Sequence, residues 1–508
     1  CIDYSFTKEA LNYFEQMQES GISPNDVTFM LILKVCSSLK DLDKGQIIHC
    51  DITKRGLLEL DFSIGSTLID TYVKCGSLTG AQAVFDTLPI LAQNVFAWTA
   101  LITGYIEHGC GEEALHLFEQ MQTDGMSPNS VTYICSMKAC SSVCNGEKGQ
   151  QIHDQVRKHG LLYSDICVGN ALIDMYVKLG LLEKAQNVFD ELPVRDVVSW
   201  TSLISGYAQN GCGQKALNYF SRMQHEGVYP NAVTLVCTLK ACASMGHIET
   251  GKRVHHEITK KGFFENDLPI GNALVDMYMK CGSFAEACHV FDMLPIPNVV
   301  SWTVLISGYT EYGHGEEALG LLQDMKEAGI CLNATTFVCG LKACSSTGDV
   351  DKGRELNVEI YKRGLLENDL ILGNALVDMY ATIGLLADAQ KVFDMLQVRD
   401  RITWNALMSG YAEHGDGNEA LICFEAMQSD GISPNAATFI LCLRACGKIG
   451  APEKGEKIHR EIIRRGLLEQ DISLGNAIID MYMKCGSIAT AQEVFKELPS
   501  RDVISWTI

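Results

Sequence analysis

Apolar residues recur three and four positions apart in short blocks, and the blocks come in pairs. VVSWTSLISGYAQNG, from Val197, is an apolar block that ends in a glycine turn. KALNYFSRMQHEG follows, with apolar residues at helical spacing and charges between them. The pair predicts an apolar first helix, a turn and an amphipathic second helix. AVTLVCTLKACASMG, from Ala232, opens a second such pair. LPIGNALVDMYMKCGS, from Leu268, opens a third, completed by EACHVFDMLP.

These three hairpins measure 35 residues (197–231), 36 (232–267) and 31 (268–298), and the set then repeats. Trp98, Trp200, Trp302, Trp404 and Trp506 mark the period, each 102 residues from the next. The third-type hairpin at 62–94 carries two extra residues near Ile90 and Leu91. A lone hairpin cannot bury both its faces, so a tandem array must stack them. The expected fold is all-α: a solenoid, or superhelix, of helix-turn-helix hairpins with one long concave face.

Composition narrows the chemistry. The formal net charge of the 508 residues is -21, which counts against gripping phosphates by bulk basicity. It leaves room for reading bases through a few placed side chains. Cys36, Cys140, Cys242, Cys344 and Cys446 recur once per period, and Cys75, Cys281 and Cys485 recur in a KCG motif. Thiols spaced by whole repeats cannot converge on one metal. They read as small, reduced core residues of a reducing compartment. No stretch reads as a transmembrane span; the uncharged 87–106 contains Pro89, Gln93 and Asn94. Residue 1 is Cys, so any targeting segment is expected to lie upstream.

Hairpins of this length also suit tetratricopeptide repeats, which bind proteins. The strings SWTSLISGYAQNG, KALNYFSRMQHEGVYPN, GNALIDMYVKLG and VFDELPVRDVVSW instead resemble pentatricopeptide repeats. The 35-36-31 rotation resembles the plant PLS subclass, with P-, L- and S-type motifs in turn. On that division residues 1–25 are a partial P-type repeat, and 26–94 are an L and an S repeat. Residues 95–196, 197–298, 299–400 and 401–502 are complete triplets, and 503–508 start another P-type repeat. The resemblance implies a sequence-specific binder of single-stranded organellar RNA, in mitochondrion or chloroplast, that specifies cytidines for C-to-U editing. It implies no cofactor and no membrane, and it suggests editing-cofactor proteins docking on L-type repeats. A deaminase needs H-x-E followed by P-C-x-x-C. His255-His256-Glu257 matches the first half by chance and no C-x-x-C occurs, so this chain is not expected to be an enzyme.

In the family, the fifth and the last residue of each repeat read the base. The last residues are Asn25, Asp61, Asn94, Asn129, Asp165, Asp196, Asn231, Asp267, Asn298, Asn333, Asp369, Asp400, Asn435, Asp471 and Asp502. Asp and Asn are favoured N-caps, which accounts for part of this. Ser and Thr cap as well and never appear here, which points to base recognition beside capping. The fifth residues are polar in P-type repeats (Thr99, Thr201, Thr303, Asn405, Thr507) and in S-type repeats (Ser66, Asn170, Asn272, Asn374, Asn476). They are apolar in L-type repeats (Met30, Ile134, Val236, Val338, Ile440). A buried-face hydroxyl can also bond its own preceding turn.

The family code carried onto these positions gives adenine for Ser66/Asn94, Thr99/Asn129, Thr201/Asn231 and Thr303/Asn333. It gives uracil for Asn170/Asp196, Asn374/Asp400 and Asn476/Asp502, and a pyrimidine for Asn272/Asn298 and Asn405/Asn435. The implied target is 5′-AA-x-UA-x-YA-x-UY-x-U-3′, with the L-type bases open.

Three further patterns recur. Glycine precedes each S-type fifth residue (Gly65, Gly169, Gly271, Gly373, Gly475), for close approach of a base or of a neighbouring helix. Cations share the reading stripe: Lys34, Lys138, Lys240, Lys342 and Arg444 in L-type helices, and Lys74, Lys178, Lys280 and Lys484 in S-type helices, with Thr382 breaking the series. They are candidates for phosphate contact, with the acids expected on the second helices. His49, His153, His255 and His459 recur with Asn357 in their register and read as packing residues. Two functions compete with editing: an organellar RNA processing, stability or translation factor of the same fold, and a protein-binding helical scaffold.

Overall fold

A computed structural model describes residues 4–60, 62–89, 93–262, 267–367, 369–469, 471–498 and 500–507. The described residues form helices, short turns and no strand. The chain divides into two units, 1–254 and 255–508.

In the first unit the first helices are Asp26–Leu39, Phe62–Lys74, Val95–Glu107, Ser130–Ser142, Ile166–Lys178, Val197–Gln209 and Ala232–Met245. Each packs on the next, so they make one continuous layer. Those from Asp26–Leu39 to Val197–Gln209 also pack on their own second helices, for example Val197–Gln209 on Gly213–His225. The second unit repeats this with Leu268–Lys280, Val299–Glu311, Ala334–Thr347, Leu370–Ile383, Arg401–His414, Ala436–Ile449 and Ile472–Lys484 as the first-helix layer.

The three hairpin lengths have local causes. P- and L-type second helices such as Gly213–His225 and Val350–Lys362 have 13 residues. The S-type Leu182–Glu191 has 10 and ends at Leu192-Pro193, because proline cannot continue a helix. L-type hairpins add a short extra turn, Leu161–Ser164 or the 3-10 turn Leu365–Glu367, which packs on the following first helix. The extra residues 90 and 91 lie outside the described residues.

The core follows the expected register in the first cysteine series, whereas Cys75, Cys281 and Cys485 of the KCG motif are only half-buried. Cys36, Cys140, Cys242, Cys344 and Cys446 are fully buried, and burial pushes the Cys140 thiol up to about 12. Trp200 lies edge-on to Phe189 of the preceding second helix, with centroids 4.7 Å apart; Phe393 and Trp404 repeat this at 4.6 Å. The mid-helix glycines serve helix packing. A Cβ on Gly169 would meet Leu192 Cδ2 at 2.5 Å, and one on Gly475 would meet Leu498 Cδ2 at 2.4 Å. Among the described residues no helix is long and apolar enough to cross a membrane.

Candidate nucleic-acid interface

Every hairpin-final Asp or Asn among the described residues caps the next helix; Asp61 lies outside them. Asp196 is typical: its backbone is extended (φ -93, ψ 177), and its Oδ1 accepts from Ser199 N at 2.9 Å. Asn231 does the same for Thr234 N at 2.9 Å. The cap uses one side-chain atom, Oδ1. The other, Nδ2 of an asparagine or Oδ2 of an aspartate, stays available.

The fifth side chains come to these caps across the layer. In S-type hairpins Asn170 Nδ2 donates to Asp196 Oδ1 at 3.1 Å, Asn374 Nδ2 to Asp400 Oδ1 at 3.2 Å, and Asn476 Nδ2 to Asp502 Oδ1 at 3.1 Å. A carboxylate only accepts, so the amide must turn its NH2 toward it. Its Oδ1 then faces a hydroxyl from the next hairpin: Ser199 donates to Asn170 at 2.6 Å, Thr403 to Asn374 at 2.5 Å, and Ser505 to Asn476 at 2.6 Å. Burial pushes the Asp196 carboxyl up, but hydrogen bonds from Ser199, Asn170 and Val198 outweigh it and hold the group below its usual range.

P-type hairpins use the same plan with a hydroxyl. Thr201 Oγ1 donates to Val197 O at 2.6 Å and accepts from Thr234 Oγ1 at 2.6 Å, and Thr234 Oγ1 lies 2.8 Å from Asn231 Oδ1. Thr99 with Thr132 and Asn129, and Thr303 with Thr336 and Asn333, repeat the chain. Each threonine therefore bonds its own preceding turn and also joins the cap. Asn405 Nδ2 reaches Asn435 Oδ1 at 3.5 Å, and Thr438 donates to Asn405 Oδ1 at 2.8 Å.

Two pairs are not joined. Ser66 Oγ donates to Ser63 O rather than toward Asn94. Asn272 Oδ1 is buried without a partner, and Ser301 donates to Asn298 Oδ1 at 3.2 Å. The L-type fifth residues Met30, Ile134, Val236, Val338 and Ile440 are half-buried in the same layer.

The cations divide by hairpin type. Each S-type lysine pairs with an aspartate one turn back: Lys74 with Asp70, Lys178 with Asp174 and Lys484 with Asp480 at 2.7 Å, and Lys280 with Asp276 at 3.0 Å. The acids thus do not all lie on the second helices, because an i,i+4 partner offsets each of these lysines on the stripe itself. Lys34, Lys138, Lys240 and Lys342 are exposed and, among the described residues, hold no ion pair. Arg444 stands 3.9 Å from Glu413.

Three features were missed from the sequence. The first is the joining hydroxyl, readable as Ser or Thr three residues past the caps Asn129, Asp196, Asn231, Asn298, Asn333, Asp400, Asn435 and Asp502. The second is a row of exposed apolar residues two past the caps, among them Phe96, Val131, Val198, Val233, Val300 and Ile402. They stand one helical turn before the fifth residues, on the same face. The third is the partner of the periodic histidines. His153 Nδ1 bonds Tyr176 Oη at 2.9 Å, and His49–Tyr72, His255–Tyr278 and His459–Tyr482 repeat it; Asn357 donates to Tyr380 at 3.0 Å.

A PPR repeat family model matches residues 93–142, 195–244, 297–365 and 399–448. A PPR repeat model matches 170–197, 437–467 and 476–503, and a pentatricopeptide repeat domain model matches 7–38. A mitochondrial pentatricopeptide repeat-containing protein of Arabidopsis thaliana is 32% identical over 97% of the chain and 70% of its own length. The chain belongs to the pentatricopeptide repeat family. A chloroplastic family member from the same plant is 33% identical over 99% of the chain and 56% of its own length. Another, mitochondrial, is 32% identical, and the chain spans 44% of it. Among solved structures, the pentatricopeptide repeat protein PPR10 in complex with an 18-nt psaJ RNA element shares the fold. Its TM-score is 0.62 at 20% identity, over 98% of this chain and 74% of that one. The structure of PPR10 from maize gives 0.65 at 20% identity, over 96% and 75%.

Proposed function

We propose that this pentatricopeptide repeat chain reads single-stranded RNA one base per hairpin, as the site-recognition part of an organellar C-to-U editing factor. The observation that carries the reading is the chemical complement of the two joined tip types. An Asn/Asp tip leaves an amide N–H and a carboxylate oxygen. Uracil answers with a carbonyl and N3–H. Guanine shows the same edge on a larger ring. A Thr/Asn tip spends its hydroxyl hydrogens inside the protein, so Thr201 Oγ1 offers a lone pair beside the Nδ2 hydrogens of Asn231. Adenine answers with N6–H and N1. Two amide donors, as in Asn405/Asn435, suit the O2 carbonyl that both pyrimidines carry.

The exposed apolar residues beside the tips give each base a surface to lie on. The unpaired lysines of L-type helices are the cations free for phosphates, which is how a chain of net charge -21 holds RNA. PPR10 is itself described bound to an RNA element, and relatives are named mitochondrial or chloroplastic. Those names support the organellar part of the reading, and the P-L-S rotation supports the editing part.

Binding to 5′-AA-x-UA-x-YA-x-UY-x-U-3′ and to a scrambled RNA of equal composition tests the base reading. The ordered string is expected to bind at least tenfold tighter, and equal affinity would sink the assignment. For editing, sequencing organellar transcripts in plants lacking the gene is expected to show one or more cytidines near such a string left unconverted.

A further inference from the structure

One group joins the two tips of each linked hairpin and is itself hidden. It is the hydroxyl of the third residue of the next hairpin. Ser199, Thr234, Thr336 and Thr403 are all fully buried there. The hydroxyl occurs only where the preceding fifth residue is polar. After the apolar fifth residue Ile134 the third residue of the next hairpin is Val168, and after Val338 it is Leu372.

We infer that this hydroxyl is a specificity-determining positioning residue: it fixes which atom of the fifth side chain faces the base, and it never touches the base. The inference rests on the base reading proposed above. An asparagine amide turned by half a rotation exchanges its donor and acceptor and so inverts the edge it shows. Asp196 holds the NH2 of Asn170 and Ser199 holds its oxygen, which blocks that turn. In the threonine tips Thr201 spends its hydrogen on Val197 O, so the hydrogen of the 2.6 Å contact comes from Thr234, which keeps the Thr201 hydrogen inward. Ala97 stands where the hydroxyl is missing, after Ser66/Asn94, and that pair is unjoined. At Asn272/Asn298 the Ser301 hydroxyl bonds only the cap, and the Asn272 oxygen is left unheld. These two tips are therefore the loose readers of the array.

The test uses the 508-residue chain and a panel of RNAs that carry each of the four bases opposite Thr201/Asn231. Thr234→Val keeps the shape and the bond from Thr234 N to Asn231 Oδ1, while removing the hydroxyl and the weaker bond it accepts from Asn231 N at 3.3 Å. Its preference for adenine at that base is expected to fall about fivefold to tenfold, the scale of one lost hydrogen bond. Preference opposite Asn170/Asp196 stays as it was, and Thr234→Ser restores adenine preference. Ala97→Ser adds the missing hydroxyl and is expected to raise selectivity opposite Ser66/Asn94 about threefold, a gain that a folding defect cannot imitate. If Thr234→Val keeps full adenine preference, or Ala97→Ser adds none, the positioning role is wrong and base reading survives. If the unaltered chain shows no preference opposite Thr201/Asn231, base reading itself fails and takes this inference with it.

Discussion

Lys40 and Cys144 hold a left-handed backbone, at φ 55 and φ 54, in the turn where Gly246, Gly348 and Gly450 stand in other L-type hairpins. A side chain there costs about 1 kcal/mol relative to glycine, because Cβ crowds the following carbonyl. Cys144→Gly is therefore expected to stabilise the protein by about 1 kcal/mol, read as a higher urea midpoint at unchanged slope. The single-residue scale is also where the sequence was most legible. Caps such as Asn231 are recognised by residue type and by the helix they precede. The orientation of Asn170 was not legible, since it depends on Ser199, 29 residues away.

At the scale of an element, glycines decide how closely helices approach. A Cβ on Gly417 would come within 2.8 Å of the Ala445 carbonyl oxygen, a backbone atom that cannot rotate aside. Gly417→Ala is expected to cost about 1–2 kcal/mol despite alanine's better helix propensity. A urea titration of the variant checks it. The histidines bridge second helices to the next first helix. Burial holds His49, His153, His255 and His459 below the usual imidazole range, and His153 Nε2 is buried without a partner. The unfolded chain protonates them near pH 6.5, before the folded chain does. Stability is thus full above that pH and falls as pH drops through it toward the lower folded values. His153→Asn, which copies Asn357, is expected to flatten the loss between pH 7 and 5. An unchanged slope would assign the acid sensitivity elsewhere.

For the whole molecule, the proposed RNA reading requires an acidic chain to hold an anion. Within each unit the first helices form a layer in which, among the described residues, the L-type Lys34, Lys138, Lys240 and Lys342 hold no ion pair, while S-type lysines pair with their own aspartates. Lys138→Gln and Lys342→Gln are each expected to weaken RNA binding irrespective of sequence. Each should also lower the salt slope by about 0.7. Lys178→Gln is expected to change the slope by less, because its loss also frees Asp174. Equal slopes for the three variants would refute this division. The stripe of cations was visible as a period, but its partition into paired and unpaired members was not, since charge spacing along one helix does not rank it against phosphate.

The sequence by itself determined the paired helices, the buried series of Cys36, Cys140, Cys242, Cys344 and Cys446 with Trp98, Trp200 and Trp404, and the caps. All of these follow from contacts within about one helical turn, repeated often enough to be unmistakable. Only the tertiary structure decided what the repeated residues touch. The glycines before the S-type tips admit the leucine that follows the second helix, and the histidines meet tyrosines 23 residues on. The two tips of a hairpin are joined by a hydroxyl belonging to the next one. Such contacts span one hairpin to another, and the distance between them is set by how helices stack, a quantity that no local pattern of residues contains.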